Sequence, residues 1–175
     1  MNRNLLVATP FPPAAMDALA AEFTLHRLWE APDQDGFLRE IGPRIRGIAT
    51  TGSFGATAAL IDALPALEII GCFGVGVDAV DLDRARERGV IVTNTPDVLT
   101  DDVADLAIAL VLGVLRRVCE ADRFVRAGRW RDGGTLPLGR ALARKRLGVL
   151  GLGRIGKAIA RRAEAFGMSV AYHGR

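Results

Sequence analysis

The segment that most constrains the fold is the Gly-rich stretch GLGRIG, from Gly151 to Gly156. The apolar run Leu147–Leu150 precedes it, and the helix-like segment Lys157–Phe166 follows it. A second apolar run, Ser169–Tyr172, comes next. A lone G-x-G-x-x-G is weak evidence, but between a strand and a helix it predicts a β-α-β unit with an anion site at the start of its helix.

The three glycines of this stretch have different predicted roles. Gly151 permits a tight turn, Gly153 lets the backbone approach a dinucleotide pyrophosphate, and Gly156 lets the helix pack closely on the strand. The N–H groups and the dipole at the helix start attract the anion. The alternative is a Gly-rich turn that binds no ligand.

The end of the second apolar run bears on the type of cofactor. It reads Tyr172, His173, Gly174 and Arg175, with no carboxylate. An NAD(H) site usually has Asp or Glu here, which accepts hydrogen bonds from the ribose. An arginine instead pairs with the 2′-phosphate of NADP(H) through charge-assisted hydrogen bonds. We therefore predict NADP(H) in preference to NAD(H); the alternative is that Arg175 is a plain surface arginine.

The part of the chain before Thr100 alternates short apolar runs with helix-like segments. This alternation predicts an α/β fold with a parallel sheet covered on both faces, in a flavodoxin-like layout. Ligands bind such sheets at the carboxyl ends of the strands. Two Gly-containing loops lie at these ends, Thr50–Gly55 (TTGSFG) and Phe73–Asp78 (FGVGVD). The five predicted strands are Leu5–Ala8, Phe23–Trp29, Ile45–Thr50, Leu67–Cys72 and Val90–Val92.

A long helix is predicted from Thr100 to about Ala127, where Gly128 ends it. Thr100 is a suitable N-cap, and Asp101 and Asp102 suit the positive end of the helix dipole. The apolar residues of this helix cover more than one stripe, which indicates more than one partner surface. We predict that the helix forms the interface of a homodimer; the alternative is a helix buried within one domain.

Composition excludes several classes of protein. The net charge of +3 comes mostly from arginine, and the densest basic run, Arg140–Arg146, has no aromatic residue within it, so we expect no nucleic-acid partner. No apolar run reaches the ~18 residues that span a bilayer, and the N-terminus does not resemble a secretory signal. Cys72 and Cys119 are too few for a disulfide framework or a metal site. We predict a cytoplasmic protein with no metal and no membrane partner.

Three long motifs together resemble the D-isomer-specific 2-hydroxyacid dehydrogenases. They are FGVGVDAVDLDRARERGVIVTNTPDVLTDDVADLAIALVL from Phe73, GRW at Gly128–Trp130, and LGVLGLGRIGKAIA from Leu147. The segment HRLWE (His26–Glu30) and the HGR ending indicate the NADP-dependent glyoxylate/hydroxypyruvate reductases within that family. The resemblance implies two domains. Residues 1–99 would be a flavodoxin-like substrate domain, and residues 100–175 the first part of an NAD(P)-binding Rossmann domain.

The same resemblance implies the reaction and the residues that bind its reactants. NADPH would reduce a small 2-keto acid of the glyoxylate or hydroxypyruvate type to the D-2-hydroxy acid. The backbone amides of Val75 and Gly76 would bind the substrate carboxylate, and the loop around Gly52 and Ser53 would close over it. Thr100 would lie near the nicotinamide. The full set of expected cofactor-binding residues is Thr100, Gly151, Leu152, Gly153, Arg154, Ile155, Gly156, His173, Gly174 and Arg175.

No catalytic residue is assigned in this chain. The family's catalytic arginine, glutamate and histidine are expected beyond Arg175, and neither His26 nor His173 matches the catalytic histidine. We therefore expect the chain to be the N-terminal portion of a longer enzyme and to be inactive alone. The alternatives are a non-catalytic dinucleotide-sensing scaffold or corepressor on the same fold, and an inactive partner-binding fragment. A relative of the alanine dehydrogenases fits the motifs less well.

Overall fold

The computed structural model describes residues 3–174, and the chain divides into two compact units, Met1–Val98 and Leu99–Arg175. Each unit has its own buried apolar cluster. The assignment of the first unit to the substrate and of the second to the cofactor stays a prediction.

The first unit is built on a five-stranded sheet in which all neighbouring strands are parallel. The strand order is β2-β1-β3-β4-β5, which is the flavodoxin-like order. The predicted α/β fold is therefore confirmed. The second strand is shorter than predicted, because Leu28–Glu30 forms a 3₁₀ turn instead of continuing it. The strands are β1 (Asn4–Val7), β2 (Thr24–Arg27), β3 (Gly47–Thr51), β4 (Ile69–Phe73) and β5 (Ile91–Thr93).

Side-chain caps fix the starts of three helices of this unit. Asp33, Thr57 and Asp81 each accept a hydrogen bond from the N–H three residues later, at 3.0, 3.2 and 2.8 Å. Branched aliphatic side chains between the helices and the sheet then form the core. The helices are α1 (Pro13–Glu22), α2 (Gln34–Ile41), α3 (Ala58–Asp62) and α4 (Leu82–Glu87).

The second unit contains the β-α-β element that the glycine stretch predicts. Its two strands pair in parallel, and α5 packs against α7. Arg162 of α7 joins the two helices through ion pairs with Asp101 at 2.9 Å and Asp105 at 2.5 Å. The elements are α5 (Thr100–Leu115), α6 (Val118–Arg126), β6 (Arg146–Leu150), α7 (Arg154–Ala165) and β7 (Ser169–His173).

The prediction of one helix from Thr100 to Ala127 is wrong, because the helix breaks between α5 and α6. Arg117 adopts the left-handed conformation, with φ of 59°. The carbonyl of Leu115 accepts a hydrogen bond from the N–H of Arg140 at 2.6 Å. A Cβ at Gly139 would lie 2.8 Å from that same carbonyl oxygen, so the returning connector occupies the space beside the helix end. A tertiary contact thus ends the helix.

Thr100 also differs from its predicted role. It is the first residue of α5, the capping position falls on Leu99, and no side chain caps the helix. Asp101 and Asp102 do lie in the first turn, where the helix dipole favours negative charge.

Residues 3–174 contain neither a membrane-spanning helix nor a cluster of metal-binding side chains. No helix there has the length and apolar character that crossing a bilayer requires. Within the same residues, no three His, Cys, Asp or Glu side chains come together in a way that would hold a metal ion.

Candidate functional site

The glycine turn of the second unit has the geometry that its residues predict. Gly151 has φ of 90°, which side chains with a Cβ rarely adopt. Its N–H donates to the carbonyl of His173 at 2.7 Å, so the turn is held against the end of β7. A Cβ at Gly156 would overlap the carbonyl oxygen of Gly151, which shows how closely α7 approaches the turn.

Gly153 differs from the other two glycines because neither its backbone conformation nor a close contact within the described residues requires a glycine there. Its φ of −75° and ψ of −161° suit any residue, and a Cβ there would meet no atom within 4 Å. It stands just before α7, where the first N–H groups of a helix have no intrahelical acceptor. A shallow depression of about 430 Å³ opens at this point, lined by Gly151, Leu152, Gly153, Tyr172 and Gly174.

The end of β7 lies beside this turn, as predicted for the ribose end of a dinucleotide site. A Cβ on Gly174 would lie 3.6 Å from the Cα of Gly151. None of Tyr172, His173 and Gly174 carries a carboxylate. The predicted role of Arg175 lies outside the described residues. Thr100 is not among the residues that line the depression.

In the first unit, the two Gly-containing loops come together at the carboxyl ends of β3 and β4. The two strands are neighbours, with Thr51 opposite Phe73. A Cβ at Gly52 would overlap the carbonyl oxygen of Gly76, so one loop rests directly on the other. The structure therefore places Gly52, Ser53, Val75 and Gly76 in one region.

The N–H groups of Val75 and Gly76 are available to a ligand. Within residues 3–174, neither group donates a hydrogen bond to another part of the protein. Gly74 precedes them with φ of 132°, a conformation that favours glycine. Successive unpaired N–H groups in a glycine turn form an anion-binding concavity. The carboxylate of Asp78 lies near Gly76, and its like charge opposes an anion there.

Three side chains that hold this loop were missed in the sequence. Asn94 donates to the carbonyl of Val75 at 2.7 Å, and Thr95 accepts from the N–H of Gly74 at 3.0 Å. The thiol of Cys72 is 3.5 Å from the carbonyl oxygen of Gly76. Asn94 and Thr95 follow β5, so their position at the ligand edge of the sheet was a signal that sequence reasoning could have used.

His26 lies apart from the Val75–Gly76 loop within the first unit. His26 is in β2, and β1 and β3 separate this strand from β4. It bonds to Oδ1 of Asn4 at 2.8 Å. Burial, with a smaller contribution from the charge of Arg44, holds the pKa of His26 below its usual value. His173 belongs to the other unit, at the end of β7.

Burial also raises the pKa of the Cys72 thiol. We expect iodoacetamide at neutral pH to label Cys72 at least about tenfold more slowly in the folded chain than in the urea-unfolded chain, since the thiolate reacts and the folded state keeps the thiol protonated and covered. Mass spectrometry of the labelled peptides measures this ratio. Labelling of Cys119 in the unfolded sample controls for active reagent. Equal labelling of Cys72 in both states would contradict its burial.

A flavodoxin-like parallel sheet in one unit and the start of a Rossmann fold in the other define a class of two-domain α/β proteins. The chain belongs to one family of this class, since the family model for "D-isomer specific 2-hydroxyacid dehydrogenase, catalytic domain" matches residues 5–171. The resemblance found in the sequence is thereby confirmed.

Relatives with assigned activities support the same family. Hydroxyphenylpyruvate reductase from Plectranthus scutellarioides is 50% identical over 98% of this chain and 55% of its own length. Glyoxylate/hydroxypyruvate reductase A from Arabidopsis thaliana is 46% identical over the same shares. The structure of NADPH-dependent glyoxylate/hydroxypyruvate reductase from Sinorhizobium meliloti, in complex with NADP and malonate, has a TM-score of 0.86 at 44% identity, covering 100% of this chain and 54% of that one. The chain spans about half the length of the curated relatives it matches.

Proposed function

We propose that this chain belongs to an enzyme that uses NADPH to reduce a small 2-keto acid, of the glyoxylate or hydroxypyruvate type, to the D-2-hydroxy acid. The observation that carries the proposal is the turn Gly151–Gly156. Its Gly153 leaves open space beside a helix start, so the backbone there can approach a pyrophosphate closely. Membership in the 2-hydroxyacid dehydrogenase family supports the type of reaction, which is the reduction of a 2-keto acid.

The preference for NADP(H) over NAD(H) is part of this proposal. A carboxylate beside the turn would repel a 2′-phosphate, and Tyr172, His173 and Gly174 contribute none. Arg175 is the proposed partner of that phosphate. The Sinorhizobium meliloti relative, whose structure contains NADP, supports the same choice.

The substrate carboxylate is proposed to bind at the first-unit loops. The free N–H groups of Val75 and Gly76 would donate to it, and the loop of Gly52 and Ser53 would limit access from one side. The relative in complex with malonate supports a carboxylate ligand for proteins of this kind. The hydroxyphenylpyruvate reductase relative makes a larger aromatic keto acid the second candidate substrate.

In the proposed mechanism, this chain binds the cofactor and the substrate, and the cofactor supplies the reducing chemistry. When bound, the nicotinamide supplies the hydride that reduces the keto carbon. This chain's own residues would hold the pyrophosphate at the start of α7 and would orient the substrate through its carboxylate. The arginine, glutamate and histidine that the family uses to polarise the carbonyl and protonate the alkoxide are assigned to no residue of this chain.

A homodimer through α5 and α6 also stays a proposal, as does location in the cytoplasm. One face of α5 carries Leu106, Leu110 and Val114, which are 60%, 62% and 78% exposed and follow one another at helical spacing. The other face packs in the unit core, so the helix has a second apolar surface that needs a partner. Cys72 and Cys119 are both free thiols, which fits a reducing compartment.

The substrate part of the proposal is tested by incubating the NADPH-saturated chain with glyoxylate, hydroxypyruvate and hydroxyphenylpyruvate. Calorimetry measures binding, and the loss of NADPH absorbance measures turnover. We expect one or both of the small keto acids to bind more tightly than the aromatic one, with no turnover. Turnover would show that catalytic residues within this chain were overlooked. No binding of any keto acid would contradict the substrate site.

A further inference from the structure

The loop Phe73–Asp78 is held from one side by the two residues that follow β5. Thr95 makes two hydrogen bonds with Gly74: its N–H donates to the Gly74 carbonyl at 2.9 Å, and its Oγ1 accepts from the Gly74 N–H at 3.0 Å. The Nδ2 of Asn94 donates to the Val75 carbonyl at 2.7 Å. Two successive carbonyl groups of the loop therefore point toward the Asn94–Thr95 segment.

These contacts determine where the next two N–H groups point. In a trans peptide, the carbonyl and the following N–H lie in one plane and point in opposite directions. Thr95 holds the Gly74 carbonyl, so the N–H of Val75 faces away from Thr95. Asn94 holds the Val75 carbonyl, so the N–H of Gly76 faces away from Asn94. Both unpaired N–H groups are thus directed away from the Asn94–Thr95 segment.

We infer that Asn94 is a positioning residue, which fixes the Val75–Gly76 peptide so that the N–H of Gly76 faces the carboxylate of the 2-keto acid. The inference rests on the proposed substrate site. Glycine at position 76 gives this peptide little intrinsic preference, so an external contact is needed to select one orientation. Asn94 is exposed and lies outside the apolar core. Its contribution to the loop structure is therefore its hydrogen bond to Val75.

The chemistry of the contact requires a donor at position 94. An asparagine amide donates to a carbonyl oxygen, whereas an ionised aspartate is only an acceptor. Asn94→Asp therefore keeps the size of the side chain and removes its donor. Asn94→Ala removes the donor without adding a charge that would repel the anion.

The experiment follows the backbone amides of Val75 and Gly76 by NMR in the ¹⁵N-labelled chain during titration with malonate. We expect Asn94→Ala and Asn94→Asp each to weaken malonate binding about three- to tenfold, since the peptide must then be ordered on binding. The amide of Gly76 should also become more mobile on the ps–ns timescale before any ligand is added. The thermal unfolding midpoint should stay that of the wild type.

A matched control is Thr93→Val, one residue earlier in the chain. The hydroxyl of Thr93 donates to the carbonyl of Ile70 at 3.5 Å, within the sheet and away from the loop. We expect this variant to bind malonate with wild-type affinity. If Asn94→Ala leaves both the malonate affinity and the mobility of the Gly76 amide unchanged, the inference is wrong and the proposed function stands. A wild-type chain that binds neither malonate nor a keto acid would overturn both.

Discussion

Replacing Gly156 with alanine is expected to destabilise the second unit by about 2 kcal/mol or more. The new methyl group would overlap the carbonyl oxygen of Gly151, a backbone atom that cannot rotate away. Overpacking of this kind costs up to about 3 kcal/mol, and sometimes more. The higher helix propensity of alanine returns only about 1 kcal/mol. Thermal unfolding should shift down by roughly 10 °C for a unit of this size.

Hydrogen exchange resolved by peptide locates this effect, because α7 and β6 should lose protection while the sheet of the first unit keeps it. Gly113→Ala is the matched control: it lies within α5, and its Cβ would meet no atom within 4 Å. This variant should gain up to about 1 kcal/mol from helix propensity. If Gly156→Ala is as stable as the wild type, the close packing of α7 on the turn is wrong.

Gly153→Ala is expected to weaken NADPH binding at least about tenfold, or ~1.4 kcal/mol, while the fold stays intact. Space around Gly153 is open in the chain itself, and its backbone conformation suits alanine. The cost to stability should stay within about 1 kcal/mol, since alanine is a poorer N-cap than glycine. If the pyrophosphate lies against this backbone, the methyl group occupies its place.

The two glycine variants are measured side by side by calorimetric titration with NADPH and by thermal unfolding. Gly156→Ala should lose stability, and Gly153→Ala should lose affinity at nearly unchanged stability. Gly148→Ala in β6 is a control for both readouts, because a Cβ there also meets no atom within 4 Å. If Gly153→Ala binds NADPH with wild-type affinity, the turn does not contact a pyrophosphate.

Local patterns predicted most of the regular structure. The five strands of the first sheet each correspond to a predicted apolar run, and the capping residues Asp33 and Asp81 precede two of the helices between them. These features depend on neighbours within a few residues, which the sequence displays directly. The parallel order of the sheet follows because helices connect successive strands.

The helix and strand ends that were predicted wrongly are set by contacts between residues distant in the sequence or by burial. The long helix breaks at Arg117 because Arg140, more than twenty residues later, bonds to its end. Nothing in the sequence around Arg117 marks this contact. The second strand ends early at Arg27, where a 3₁₀ turn buries Leu28.

The sequence singled out the glycines of the proposed substrate site but not the side chains that hold its loop. Their place after two strands singled out the two Gly-containing loops, and the family resemblance singled out Gly52 and Gly76 within them; the structure brings these loops together. Asn94 and Thr95 act across about twenty residues of sequence through hydrogen bonds to backbone atoms. A side chain that bonds to distant backbone leaves no spacing pattern. The sequence could place Asn94 and Thr95 at the ligand edge of the sheet, but only the structure shows which atoms they bind.

We propose above all that this chain carries an NADP(H) site at the glycine turn. The most direct test is a titration of the wild-type chain with NADPH and, separately, NADH, followed by nicotinamide fluorescence. We expect saturable binding of NADPH that is at least about tenfold tighter than binding of NADH. Tighter binding of NADH would contradict the proposed recognition of the 2′-phosphate, and binding of neither nucleotide would contradict the site itself.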